Sequence, residues 1–179
     1  MKVILARRAM SFSTTGMEIT TELIKELRDK TGVSVMQCKK ALEEAGGDIA
    51  KAVAVLAERS AEIASKKSDR TLGAGVVSSY IHATGTVGTL VELLCETDFV
   101  AQNEEFKKLA RDIAMHATAT NPQFLKPEEA GADSQSEVLL IQPFIKNPEV
   151  TITNLIQTAV QKFGEKIEVS RFVRYSISK

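Results

Sequence analysis

Few side chains in this sequence have the types and spacing that chemistry demands. Its two histidines are His82 and His116, and its two cysteines are Cys38 and Cys95. The cysteines stand far apart and form no Cys-x-x-Cys pair, which argues against a disulfide scaffold or a zinc site and fits a reducing compartment. Each histidine is alone in its segment, one strand-like and one helix-like. Surface packing or a partner contact suits such a residue better than metal binding or catalysis. Gly73-Ala74-Gly75 lacks the Gly-Lys-Ser/Thr of a phosphate loop, and Gly164-Glu165-Lys166 fails the same pattern. There is no Gly-x-Ser-x-Gly nucleophile elbow. Glu43-Glu44 and Glu104-Glu105 read as solvated helix faces, and Lys39-Lys40 and Lys66-Lys67 are too short for a nucleic-acid footprint. What remains is Thr97-Asp98-Phe99-Val100, an acid beside a large aromatic at a strand-to-helix corner. Either Asp98 caps a turn over a buried Phe99, or Phe99 projects as a hydrophobic anchor with Asp98 as its polar neighbour.

The surrounding pattern shows what would hold that corner. From Gly73 onward the apolar period is two. Residues 77–82 and 87–94 read as strands, joined through Gly85 as a hairpin. Val87, Val91 and Leu93 fall on one face of the second strand, Leu90 and Leu94 on the other. After the corner, Asn103 is placed to cap a helix whose stripe is Phe106, Leu109, Ala110, Ile113 and Ala117, with Glu104 and Glu105 in the first turn, where carboxylates suit the helix dipole. Asn121-Pro122 ends it. Ser134-Gln135-Ser136-Glu137 fits a capping box before a short helix at 138–141, which Pro143 stops. Ile152, Leu155, Ile156, Ala159, Val160 and Phe163 form the cleanest amphipathic stripe, ended by Gly164. A third strand runs from Ile167 to Ile177, with Ile167, Val169, Val173, Tyr175 and Ile177 on one face, interrupted by Arg171.

Ahead of this region, residues 17–59 carry three short helical patterns. The first contains Leu23, Ile24 and Leu27 and ends at Thr31-Gly32. The second places Met36, Ala41, Leu42 and Ala45 on or near one stripe and stops at Gly46-Gly47. The third is capped by Asp48 and carries Ile49, Val53 and Leu56. A three-helix bundle of this size is near the lower limit for independent stability. Residues 58–72 read as a linker, helical at most at the start. The expected organisation is therefore a helical domain at 17–57, a linker at 58–72 and an α+β core at 73–179. That core is a three-stranded antiparallel sheet with helices on one face. Residues 1–16 contain Lys2, Arg7 and Arg8 but no acid. They are read as an erroneous upstream start, an artefact or an organelle-targeting peptide, and in each case lie outside the fold.

Composition sets outer limits. In 179 residues, 44% are apolar and 26% charged, and 23 basic side chains balance 23 acidic ones. That balance lacks the basic excess of a dedicated nucleic-acid binder. No apolar run approaches the roughly 20 residues of a membrane span. No constellation supports an enzyme.

The corner motif TDFVAQNEEF closely resembles a signature of the elongation factor Ts family, guanine-nucleotide exchange factors of elongation factor Tu. Other segments point the same way. Residues 23–32 with Cys38-Lys39-Lys40-Ala41-Leu42 and Gly47-Asp48 resemble the family's N-terminal, ubiquitin-associated-like domain. Gly75-Val76-Val77, Ser79-Tyr80-Ile81-His82, Ile113-Ala114-Met115-His116, Gln142-Pro143-Phe144 and Phe172-Val173-Arg174-Tyr175 resemble its core. Ser34 and Gln37 depart from the pattern, and the chain has room for one core unit where many members have two.

The resemblance implies a non-enzymatic exchange factor without cofactor or metal, acting on elongation factor Tu in the bacterial cytoplasm, or in an organelle matrix if residues 1–16 are a transit peptide. It implies that Thr97, Asp98, Phe99 and Val100 enter the GTPase near its magnesium site. Leu27, Arg28 and Met36 would grip it through the N-terminal domain, and His82 and His116 would face another of its domains. The short core implies a homodimer. The alternative is a non-exchange adaptor or ribosome-associated module that uses the small helical domain.

Overall fold

A computed structural model describes residues 19–177; the reading of residues 1–16 lies outside them. The first three helices are α1 (Thr21–Thr31), α2 (Val35–Glu44) and α3 (Ile49–Ser65). Thr20 caps α1 and Asp48 caps α3, each side chain accepting a backbone N–H of the first turn. Leu27, Cys38, Ala41, Leu42, Ala52 and Leu56 form their shared core. Burying such aliphatic side chains stabilises by about 1.5–3 kcal/mol apiece for the larger ones. Met36 does not join the stripe expected of it: it is 68% exposed, and Cys38 takes the inward place.

Residues 58–65, the start of the segment read above as a linker with a helical beginning, continue α3 without a break. The reason is tertiary. Ser60 is buried and its hydroxyl donates to Gln161 Oε1 at 2.6 Å. Ile63 and Ala64 pack on the larger core. The third helix therefore belongs to both layers and ties the bundle to the rest of the chain.

The larger layer is a three-stranded antiparallel sheet in the order β1-β2-β5, with β1 at Ala74–Ile81, β2 at Val87–Cys95 and β5 at Ile167–Ser176. The mixed α+β reading, a three-stranded antiparallel sheet with helices, holds. Between β2 and β5 lie α4 (Asp98–Ala101), α5 (Glu104–Thr120) and α6 (Ile152–Phe163), with α5 lying across β1 and β2. Phe106, Ala110, Ile113, Ala114 and Ala117 of α5 meet Val91, Leu93 and Cys95 of β2, and Ile152, Ile156, Ala159 and Val160 of α6 complete the same core.

Two elements differ from the sequence reading. Residues 132–141 do not form an α-helix. They are short 3-10 turns at Ala132–Glu137 and Leu139–Ile141, followed by a small hairpin of β3 (Pro143–Phe144) and β4 (Asn147–Thr151). Ser134 breaks helical geometry within the first turn. Val138 and Leu139 are instead pulled inward, and Leu139 donates its backbone N–H to Phe124 O at 2.9 Å.

The other difference is in β5. Glu92 pairs with Arg171 but Leu93 pairs with Val169, so β5 has one extra residue, a bulge at Ser170. Because side chains alternate, one inserted residue reverses the face of everything beyond it. Ile167 and Val169 are buried, whereas Val173 and Tyr175 are exposed. The single shared face expected for these residues is thus two faces. Arg171 points to the open side, where its Nε donates to the Glu92 carboxylate.

Candidate functional site

Strand β2 ends at Cys95, and α4 begins three residues later, a single helical turn at the sheet's end. Within α4 the division of labour is sharp. Val100 and Ala101 are buried, 3% and 6% exposed, and anchor the turn to the core, while Phe99 is 85% exposed. Asp98 and Thr97 are exposed beside it. The possibility that Phe99 fills the core is excluded. The possibility that Val100 meets a partner directly is also excluded in this conformation, because its side chain lies inside.

Thr97 precedes α4 with extended backbone, the geometry of a capping residue, yet its side chain does not cap. It is used elsewhere. Thr97 Oγ1 donates to Glu165 Oε1 at 2.5 Å, and Glu165 Oε2 accepts the backbone N–H groups of Glu96 and Thr97, both at 3.1 Å. Glu165 sits in the α6–β5 connection, just after Gly164, whose positive φ of 73° ends α6. The exchange is mutual. Glu96 Oε1 accepts the Lys166 backbone N–H at 2.5 Å, and Arg70 Nη1 reaches the same carboxylate at 3.1 and 3.2 Å. The Lys166 amide, ahead of Arg70, holds the Glu96 carboxyl below its ordinary range. Lys67 Nζ donates to Gly164 O at 2.7 Å, and Lys166 Nζ to Ser68 O at 2.6 Å. The segment after α3 is therefore docked on this corner.

None of these supporting groups was singled out by sequence reasoning. Glu165 and Glu96 are 69 residues apart, and nothing local marks either as a partner of the other. Burial pushes both cysteine thiols up, Cys95 with a further contribution from Glu165, so neither is poised as a thiolate nucleophile. Among the described residues no group of three His, Cys, Asp or Glu side chains gathers to hold a metal ion.

The other candidates divide by exposure. Arg28 and Met36 are on the surface of the bundle. Leu27 is fully buried and belongs to the bundle core, so it supports that surface without forming part of it. His82 is exposed at the start of the β1–β2 turn, its ring centroid 6.5 Å from that of Tyr80. His116 is fully buried and presents nothing to a partner, contrary to the expectation above. Its place inside α5 has a structural use. Ile145 N–H donates to Nδ1 at 3.4 Å, which assigns the proton to Nε2, 2.9 Å from Gln142 Oε1.

That arrangement needs a neutral ring. Burial holds the His116 pKa below its ordinary value of 6.5, with Gln142 opposing. A histidine whose folded pKa is depressed contributes stability present in full above the unfolded value and lost as pH falls from there to the folded pKa. The melting temperature is expected to decline as pH drops below about 6.5, and a His116→Gln variant to show a flatter decline over the same window in scanning calorimetry.

With the geometry in place, comparison with known proteins is informative. Residues 8–137 match the family model described as Elongation factor TS. The chain is 42% identical to elongation factor Ts of Desulforamulus reducens, with 89% of each chain covered. It is also 42% identical to elongation factor Ts of Thermodesulfovibrio yellowstonii, covering 90% of this chain and 97% of that one. This chain belongs to the elongation factor Ts family. Both alignments run over 194 positions, more than the 179 residues here, so parts of those family members have no counterpart in this chain. Family membership makes it a translation elongation factor of the Ts type. No helix among the described residues is long and apolar enough to cross a membrane.

Proposed function

We propose that this chain is a guanine-nucleotide exchange factor that binds elongation factor Tu with GDP bound and promotes GDP release. The observation that carries the proposal is Phe99, an aromatic 85% exposed on a turn that Val100 and Ala101 anchor in the core and whose entrance is hydrogen-bonded. A side chain of that size held in water is a ready anchor, because its burial in a partner pocket is favourable and little ordering remains to be done. Exchange needs no catalytic group. The factor must bind the nucleotide-free GTPase more tightly than the GDP complex, and linkage then requires it to weaken GDP by the same factor. Phe99 and Asp98 supply the difference by entering where they displace the elements that hold magnesium and phosphate. Arg28 and Met36 supply grip that is equal in both states, and His82 adds a core contact. Its relatives are bacterial, and the compartment proposed is the bacterial cytoplasm.

The proposal includes a homodimer. Val77, Ile81, Leu90, Val173, Tyr175 and Ile177 are all exposed on the sheet face away from the helices, by 41–80%. Ile81 and Tyr175 flank Gly88 in one row, and Leu90 pairs with Val173 in the next. A slot of about 490 Å³ lies over Gly88. One face thus carries both a slot and bulky side chains that fit slots, which is the self-complementarity a two-fold interface requires.

Release of a fluorescent GDP analogue from elongation factor Tu tests the reading. The chain is expected to accelerate release in a saturable way. A Met36→Asp variant should raise the half-saturating concentration and leave the saturated rate unchanged. A chain that binds without accelerating release would be an adaptor instead.

A further inference from the structure

We infer that Glu165 is a positioning residue for exchange: it fixes the direction in which Phe99 projects. The inference rests on the exchange reading above and goes beyond it, since Glu165 lies 68 residues from Thr97 in the chain and does not belong to the projecting turn. Its carboxylate takes three donors from the two residues that connect β2 to α4, the backbone N–H groups of Glu96 and Thr97 and the Thr97 hydroxyl. Those two residues set the exit angle of α4, and α4 is one turn long, with Phe99 at its second position. A turn that short has little stiffness of its own. Its anchors are Val100 and Ala101 on the core side and Glu165 at the entrance.

The Thr97 side chain shows what is at stake. A threonine in this position ordinarily turns its oxygen back onto the helix amides. Here it donates to Glu165 and leaves the turn uncapped by a side chain. The helix start is secured from outside itself. The reciprocal contact, Glu96 with the Lys166 amide and Arg70, closes the connection into a two-way clamp between the end of β2 and the start of β5. A clamp of this kind adds no surface to the partner. It reduces the ordering the turn must undergo on binding, and a wedge that must strain a partner gains from that stiffness.

The experiment uses the full chain and measures nucleotide release from elongation factor Tu at saturating factor. Four variants are needed: Glu165→Ala, Glu165→Gln, Phe99→Ala, and the Glu165→Ala/Phe99→Ala double. Glu165→Ala is expected to slow release about tenfold. Glu165→Gln, which keeps an acceptor for the amides, is expected to stay within about threefold of the parent. In the Phe99→Ala background, adding Glu165→Ala is expected to cost less than about twofold, because there is no aromatic left to aim. Equal fold-losses in both backgrounds would reduce Glu165 to a general stabiliser and overturn the inference. So would a Glu165→Ala chain that releases at the parent rate while Phe99→Ala is impaired. Parent-rate release by Phe99→Ala would remove the wedge and with it the inference, whereas a parent chain that does not accelerate release would sink the exchange reading itself. Should Glu165→Ala fail to fold, Glu165→Asp serves. It keeps the charge but is one methylene short of both amides, and it is expected to be slower than Glu165→Gln. The reverse order would overturn the inference.

Discussion

Phe99→Ala is expected to leave the fold and melting temperature nearly unchanged and to remove most of the acceleration of nucleotide release. The stability half follows from exposure. At 85% exposed, the ring contributes little to the core, and the turn remains anchored by Val100 and Ala101. Surface substitutions of this kind usually change stability by no more than about 0.5 kcal/mol. The activity half follows from the nature of anchors. Truncating an aromatic that fills a partner pocket costs about 2 kcal/mol or more, which is roughly thirtyfold in rate when the contact is made only along the path to the nucleotide-free state. Stopped-flow release of fluorescent GDP, with circular dichroism on the same sample, decides it. Parent-like release from a folded variant removes the wedge. Unfolding would mean that Phe99 packs where its exposure says it does not.

Leu90→Asp is expected to split the dimer. Leu90 sits in the middle strand of the open face, paired with Ser79 on one side and Val173 on the other. In the monomer it is 43% exposed, so an aspartate there can remain hydrated and the subunit should fold. In a face-to-face pair the two-fold operation brings a second aspartate to the same interface. Desolvating each ion costs several kcal/mol, and at 1.4 kcal/mol per factor of ten the dissociation constant rises by at least about a thousandfold. Light scattering or sedimentation across a dilution series reads this directly. If the parent chain is monomeric at every concentration, the dimer proposal is wrong. If Leu90→Asp is monomeric and also exchanges poorly, two chains together supply the grip that one short core lacks.

Much of the frame was legible in the sequence because local rules govern it. Alternation marked β1 and β2, the apolar stripes marked α5 and α6, and Asn103 and Gly164 marked their ends through capping and the left-handed conformation. The corner between β2 and α4 was legible as a place, because an aromatic and an acid stood together outside any stripe. Which way Phe99 pointed was not. Both readings satisfied the local pattern, and only the packing of Val100 and Ala101 beneath the turn chose between them. Burial likewise moved Leu27 and His116 from candidate contacts to interior supports. His116 stands at i+3 from Ile113 and i+7 from Leu109, on the buried stripe of α5, so the spacing carried a sign of burial that its polar side chain masked.

By itself, then, the sequence determined the longer helices and the three strands of the main sheet, where most of them end, and the short corner stretch that stood outside any apolar stripe. The tertiary structure decided three things that depend on partners far away in the chain. Helix α3 runs on to Ser65 because α6 receives it. A single extra residue near Ser170 turns Val173, Tyr175 and Ile177 outward, making the apolar face on which the dimer proposal stands. And Glu165, 68 residues from Thr97, takes the donors that aim the exposed aromatic. The physical reason is common to all three: periodicity and capping act within a few residues, whereas register and long-range hydrogen bonds are fixed only when distant segments meet.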